Sequence, residues 1–189
     1  MIKIRRHTFE TNSSSMHSLV VMKTGEHVSK EKAREDIYIR EGTNKYRIWN
    51  DEDVYFERYP FGILSTVADK FRYLVALYSY DEEKRNQIIE DFKSITGLDE
   101  IEFPDIDDEP FYGSVDHQSC CLVPSFLDKN KISFKEFMEN DKYKVIIDGD
   151  EYCNWEKAKK SGLIATDEIE LDIDIYSKDR ENEDLDEER

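Results

Sequence analysis

The run Ile63-Leu64-Ser65-Thr66-Val67-Ala68-Asp69-Lys70-Phe71-Arg72-Tyr73-Leu74-Val75-Ala76-Leu77-Tyr78-Ser79-Tyr80 decides how this 189-residue chain is read. Leu64, Val67, Phe71, Leu74, Leu77 and Tyr78 recur at threes and fours, the period of an amphipathic helix. A second helix is expected from about residue 81 to 96, with Ile88, Ile89, Phe92 and Ile95 on its inner face and Gly97 placed to end it. The two read as a helical hairpin. On either side of it the pattern becomes strand-like. Ile2-Lys3-Ile4-Arg5-Arg6, Ser18-Leu19-Val20-Val21-Met22, Tyr143-Lys144-Val145-Ile146-Ile147 and residues 168–175 read as strands, with extended segments at 46–49 and 54–56. Ser29 can cap a short helix through Ile37, and further short helices are expected at 119–127, 133–139 and 155–160, the last closed by Gly162. Asp148-Gly149-Asp150 reads as a hairpin turn, and 99–117, with Pro104, Pro110 and Gly113, as an exposed loop. No repeat period appears, and strands and helices mix irregularly. The expected fold is therefore α+β: a mainly antiparallel sheet with the helical hairpin packed on it, in a single domain over 1–176. Residues 177–189 hold seven acidic and three basic side chains and read as an acidic flexible tail.

The charge is unevenly divided. The net charge is −17, yet residues 1–50 carry ten Lys/Arg against six Asp/Glu, and residues 51–189 carry 17 against 38. A basic-leaning N-terminal part thus precedes an acidic body. Such a body repels free nucleic acid and attracts basic surfaces within about 8 Å at physiological salt, so binding to free DNA is not expected. Acidity of this size serves solubility, or it imitates nucleic acid in another protein's basic channel. The three cysteines, Cys120, Cys121 and Cys153, have no CxxC spacing and read as reduced thiols, with Cys120 and Cys121 as a buried pair. No run approaches the roughly 20 apolar residues of a membrane span, and the start lacks an apolar signal region. The expected setting is the cytoplasm of whatever cell makes the protein, with no membrane partner.

The segment Phe9-Glu10-Thr11-Asn12-Ser13-Ser14-Ser15-Met16-His17-Ser18 crowds small polar side chains around one imidazole directly after a basic strand. Ser, Thr and Asn bond readily to nearby backbone, so such a run favours a tight turn whose N–H groups converge on an anion. Arg5 and Arg6 could supply positive charge there, Ser13 and Ser15 donors, and His17 a proton-transfer group, the set that phosphodiester chemistry requires. Asp116 and His117, in the polar loop 113–119, offer a second acid/base pair; if that loop folds back, His17 and His117 together would suit a metal-independent ribonuclease. The competing reading is a polar turn and two unconnected histidines. This segment resembles, over about the first twenty residues, small proteins carried by bacteriophages and other mobile elements, most of them without a known activity. The resemblance implies a host-takeover or anti-defence role, with anti-CRISPR-type inhibition as its concrete form.

Two other patterns carry less. His27-Val28-Ser29 and His117-Gln118-Ser119 match the H-x-[ST] unit of two-histidine phosphoesterases, but that family sets the unit on a strand, and Ser29 is better explained as a helix cap. Asp105, Asp107, Asp108 and Glu109, like Asp148, Asp150 and Glu151, lack the spacing of a calcium loop, so no metal or cofactor is expected. The strand at 168–175 alternates Ile169, Leu171, Ile173 and Ile175 with Glu168, Glu170, Asp172 and Asp174. Carboxylates at every second strand residue recur at about 6.6–6.8 Å, comparable with successive phosphates of a nucleic acid. With Asp105, Asp107 and Asp108 they form the candidate docking stripe for a nucleic-acid-handling host protein, such as an RNA-guided nuclease with its guide RNA. The alternative is a stand-alone phosphodiester- or nucleotide-acting enzyme built on the Ser/His motif.

Overall fold

A computed structural model describes residues 16–35, 37–48, 51–57, 60–103, 113–117, 119–148 and 153–174. In chain order the elements are β1 (His17–Met22), α1 (Lys30–Ala33), β2 (Lys45–Arg47), β3 (Tyr55–Phe56), β4 (Gly62–Leu64), α2 (Val67–Leu77), α3 (Glu82–Thr96), β5 (Glu100–Glu102), β6 (Ser114–Val115), α4 (Leu122–Asn130), α5 (Phe134–Glu139), β7 (Tyr143–Ile147), α6 (Cys153–Lys160) and β8 (Ile169–Asp174). The fold is α+β. Its main sheet is antiparallel in the order β4-β7-β1-β8, and β2 with β5 and β3 with β6 form two small parallel pairs.

Every residue of β1 is buried. A strand of this kind must be covered on both faces, and its alternate side chains serve two separate cores. Leu19 and Val21 join Val145, Ile147, Leu64 and the helices α2, α3, α4 and α5 in the larger cluster. Val20 and Met22 join Ile146 with Trp155 and Ala158 of α6 in the smaller one. The helical hairpin is the centre of the larger layer: Phe71 of α2 stacks on Phe92 of α3 with ring centroids 3.9 Å apart. Helix α2 begins later than the apolar spacing suggests. Thr66 and Asp69 form a reciprocal capping box that starts the helix at Val67, which leaves Ile63 and Leu64 to pair with β7 as an edge strand. Asp81 caps α3, and Gly97 closes it at φ 66°, a left-handed conformation that suits glycine. Ser29 caps α1 through the Lys32 N–H, although α1 stops at Ala33 rather than Ile37.

Two local expectations are corrected. The segment 99–117 is not simply an exposed loop, because β5 and β6 lie in it and Gly113 between them is buried. A Cβ on Gly113 would come within 2.7 Å of the Val54 carbonyl and 2.9 Å of Ala76 Cα, so only glycine allows this close approach. Asp148 does not open a hairpin between strands: β7 leads to α6, and the buried Asp148 carboxylate accepts the Trp155 N–H at 3.0 Å, capping that helix. Among the described residues its other oxygen has no hydrogen-bond partner, and burial raises its pKa. The expected strand at 2–6, Gly149 and Asp150 of the expected turn, and the expected tail at 177–189 lie outside the described residues.

Replacing Phe71 with Ala should remove the stack on Phe92 and leave a cavity between hairpin and sheet. The expected loss is about 3–5 kcal/mol of unfolding free energy, read from the urea midpoint.

Candidate functional site

His17 opens β1 opposite Ile147 and faces the helix layer. Its side chain is fully buried. Nδ1 lies 2.9 Å from the Tyr73 hydroxyl, and the two rings are tilted with centroids 5.6 Å apart. Phe56 packs edge-on against Tyr73 at 5.2 Å, and its backbone hydrogen-bonds to the His17 ring. The backbone N–H of His17 donates to Ser119 Oγ at 3.2 Å. Ser119 N–H donates to the Asp116 carbonyl at 2.9 Å, and Asp116 N–H reaches the Phe56 carbonyl at 3.4 Å. The loop 113–119 therefore does fold back onto the start of β1, and it delivers Ser119 and the buried Asp116 there.

It does not deliver His117. That ring is 80% exposed, with Nδ1 3.9 Å from Asp116 Oδ2, beyond hydrogen-bonding distance. His117 lies in the turn that the Ser119 N–H closes on the Asp116 carbonyl, so the Asp116 side chain is buried while the imidazole stands out in solvent. His17 and His117 form no shared acid/base pair. Arg5, Arg6, Ser13 and Ser15 lie outside the described residues, as do Asp105, Asp107 and Asp108.

Burial sets the electrostatics of the cluster. Desolvation holds His17 down to about 4, outweighing the Phe56 hydrogen bond that favours protonation. Burial likewise pushes the Tyr73 hydroxyl up. At neutral pH both groups are uncharged. One ring proton satisfies the site when Tyr73 donates to Nδ1 and the other ring nitrogen donates to the Phe56 backbone. A sealed, neutral imidazole can satisfy buried polar atoms, but a general acid or base must reach its substrate.

The candidate docking residues also differ from a simple row. The register between β1 and β8 shifts between Val21 and Met22: Val21 pairs with Leu171, and Met22 with Ile169, so a bulge at Glu170 interrupts the alternation. As a result Ile173 packs in the larger cluster and Ile169 in the smaller one. Asp172 stands opposite Val20, on the face that α6 covers. It accepts from Trp155 Nε1 at 3.2 Å and from Lys159 Nζ at 3.3 Å. The four carboxylates therefore do not make one free stripe. Glu168 and Glu170 remain exposed, and only the backbone of Asp174 is described. Cys120 and Cys121 are corrected as well: Cys121 is exposed and Cys120 half-buried, their sulfurs 3.8 Å apart at the entrance to α4.

Sequence reasoning passed over Tyr73 and Lys70. Lys70 is buried on α2, and its Nζ donates to the Asn140 carbonyl at 2.8 Å. Burial lowers its pKa to about 7, and Lys144 adds to the effect, while Asp141, Asp69 and Glu136 oppose it. Its place was readable, since it stands three residues after Val67 and four before Leu74. A cleft of about 550 Å³ opens nearby, lined by Met22, Glu26, Asp141, Lys144, Ile164 and Glu168 among others. Among the described residues, His27, Glu136 and Glu139 form the group whose donor atoms could hold a metal ion, and no helix is long and apolar enough to cross a membrane. No protein-family model matches the chain, and no curated protein or solved structure shows significant similarity to it.

Two pH dependences follow from the buried bases. The unfolded chain protonates His17 near 6.5 and the folded chain only near 4, so stability should fall as pH drops through that window, by up to about 3 kcal/mol from this group. Urea unfolding at stepped pH measures the fall, and a flat His17 ring resonance from pH 8 to 5 identifies its source. Lys70 acts higher up: unfolded it binds a proton up to about 10.5 and folded only up to about 7. Wild type should therefore gain more stability between pH 7.5 and 10 than a Lys70→Met variant.

Proposed function

We propose that this protein is an anti-defence factor of a bacteriophage or mobile element, acting in the host cytoplasm. It binds a nucleic-acid-handling host nuclease through an acidic surface, in the manner of an anti-CRISPR inhibitor. The observation that carries this reading is the opposite placement of the two candidate groups. The imidazole that catalysis would need is sealed inside at a pKa of about 4, whereas Glu168 and Glu170 lie exposed on a chain of net charge −17. Complementary charge of this kind accelerates encounter with a basic channel and fixes orientation. Glu26 and Asp167, also exposed, extend the acidic surface around the start of β8, while Asp172 contributes to α6 packing instead. The mobile-element resemblance of the N-terminal segment supplies the biological setting. Processing of the guide RNA draws no support from His17.

The test is binding of the purified protein to a guide-loaded RNA-guided nuclease at low and high salt, with RNA integrity followed in the same samples. The expected result is a salt-sensitive complex with intact RNA, weakened about tenfold by Glu168→Gln with Glu170→Gln. RNA fragments that disappear with His117→Ala would return the reading to a ribonuclease, and no complex at any salt would remove that nuclease as a target.

A further inference from the structure

His27 stands in the connection between β1 and α1, held between two carboxylates of α5. Its Nε2 lies 2.8 Å from Glu136 Oε2, and its Nδ1 3.4 Å from Glu139 Oε1. One donor atom from each of the three residues falls within 4.8 Å of the others. The arrangement is anchored by backbone on both sides. His27 forms an antiparallel bridge with Asn140, and Val28 N–H donates to the Glu139 carbonyl at 2.8 Å. Glu136 and Glu139, three apart on one helix, share a face. Asn140 Nδ2 holds Glu136 Oε1 at 3.0 Å, which leaves Oε2 turned to the imidazole. The Asn140 carbonyl in turn takes the buried Lys70 ammonium, so this edge is tied to the core.

We propose that His27, Glu136 and Glu139 form a divalent transition-metal site, with zinc as its fitting ion. One imidazole nitrogen and two carboxylates are a donor set for zinc, manganese or iron rather than an all-oxygen calcium cage. Asn140 acts as the outer partner that orients a ligating carboxylate, a recurring feature of such centres. Glu136 and Glu139 meet different ring nitrogens, and one donor set lies within 4.8 Å; ligand atoms about 2.0–2.2 Å from one ion lie roughly 3 Å apart, so the ring has to turn until one nitrogen faces both carboxylates. The imidazole, 57% exposed, can do this by side-chain rotation. Binding uses the lone pair of one ring nitrogen and joins the β1–α1 connection to the end of α5. Three protein ligands leave a coordination position open to water or to a donor from a partner. The competing account is an imidazolium ion-paired with two glutamates, which at a half-exposed site contributes little and has no affinity for zinc.

The deciding experiment titrates ZnCl2 into chelator-stripped full-length protein by calorimetry, with Co²⁺ absorption as a second probe. Wild type should bind one zinc saturably and gain thermal stability from it. His27→Gln and, separately, Glu139→Gln should each weaken binding at least ~10-fold and lose the thermal shift, with circular dichroism confirming that the variants fold. The Co²⁺ spectrum should lack a sulfur charge-transfer band. No saturable binding, binding unchanged in His27→Gln, or a sulfur band that vanishes with Cys120→Ser would each overturn the proposal.

Discussion

The double burial of β1 is the constraint from which the rest of the structure follows. A strand whose six side chains are all buried needs a layer on each face, and its period of two sends Leu19 and Val21 to one core and Val20 and Met22 to the other. The helical hairpin with α4 and α5 meets the first demand, and α6 meets the second. His17 is drawn into this arrangement by its position at the head of the strand. Opposite Ile147 it faces the larger core, where an imidazole is tolerated only if its nitrogens are satisfied and its charge is suppressed. Tyr73 and the Phe56 backbone do the first, and desolvation does the second.

The same constraint makes this polar cluster a joint between elements. His17, Tyr73, Asp116 and Ser119 tie α2, the β6 loop and the start of β1 at one point. The charge that could act on a partner lies elsewhere, at the start of β8 and around the cleft shared by Glu26, Asp141 and Glu168.

Much of the architecture was legible in the chain because periodicity reports burial directly. The spacing of Phe71, Leu74, Phe92 and Ile95 announced the hairpin, and Tyr143–Ile147 announced β7. What periodicity hides is context. Ile63 and Leu64 fit the helical pattern, but the Thr66/Asp69 capping box overrides it. Ile169 fits the alternation of β8, but a bulge moves it to the other face. Of the site, the return of the 113–119 loop to β1 could be imagined from the chain. The outward turn of His117 could not be read from it, because burial is a property of the surroundings rather than of the residue. Tyr73 escaped for a related reason, since on a helix wheel a polar tip at a core position reads as an interruption until its partner is seen.

The bulge in β8 has one further effect. Among the described residues strand β8 is an edge of the main sheet, and an edge presents backbone donors and acceptors to which a second chain can add. Local twist at Glu170, with the exposed carboxylates of Glu168 and Glu170 beside it, makes that edge irregular and strongly self-repelling. Joining two copies through this edge would set those like charges against one another, so the placement of the carboxylates disfavours sheet-to-sheet addition.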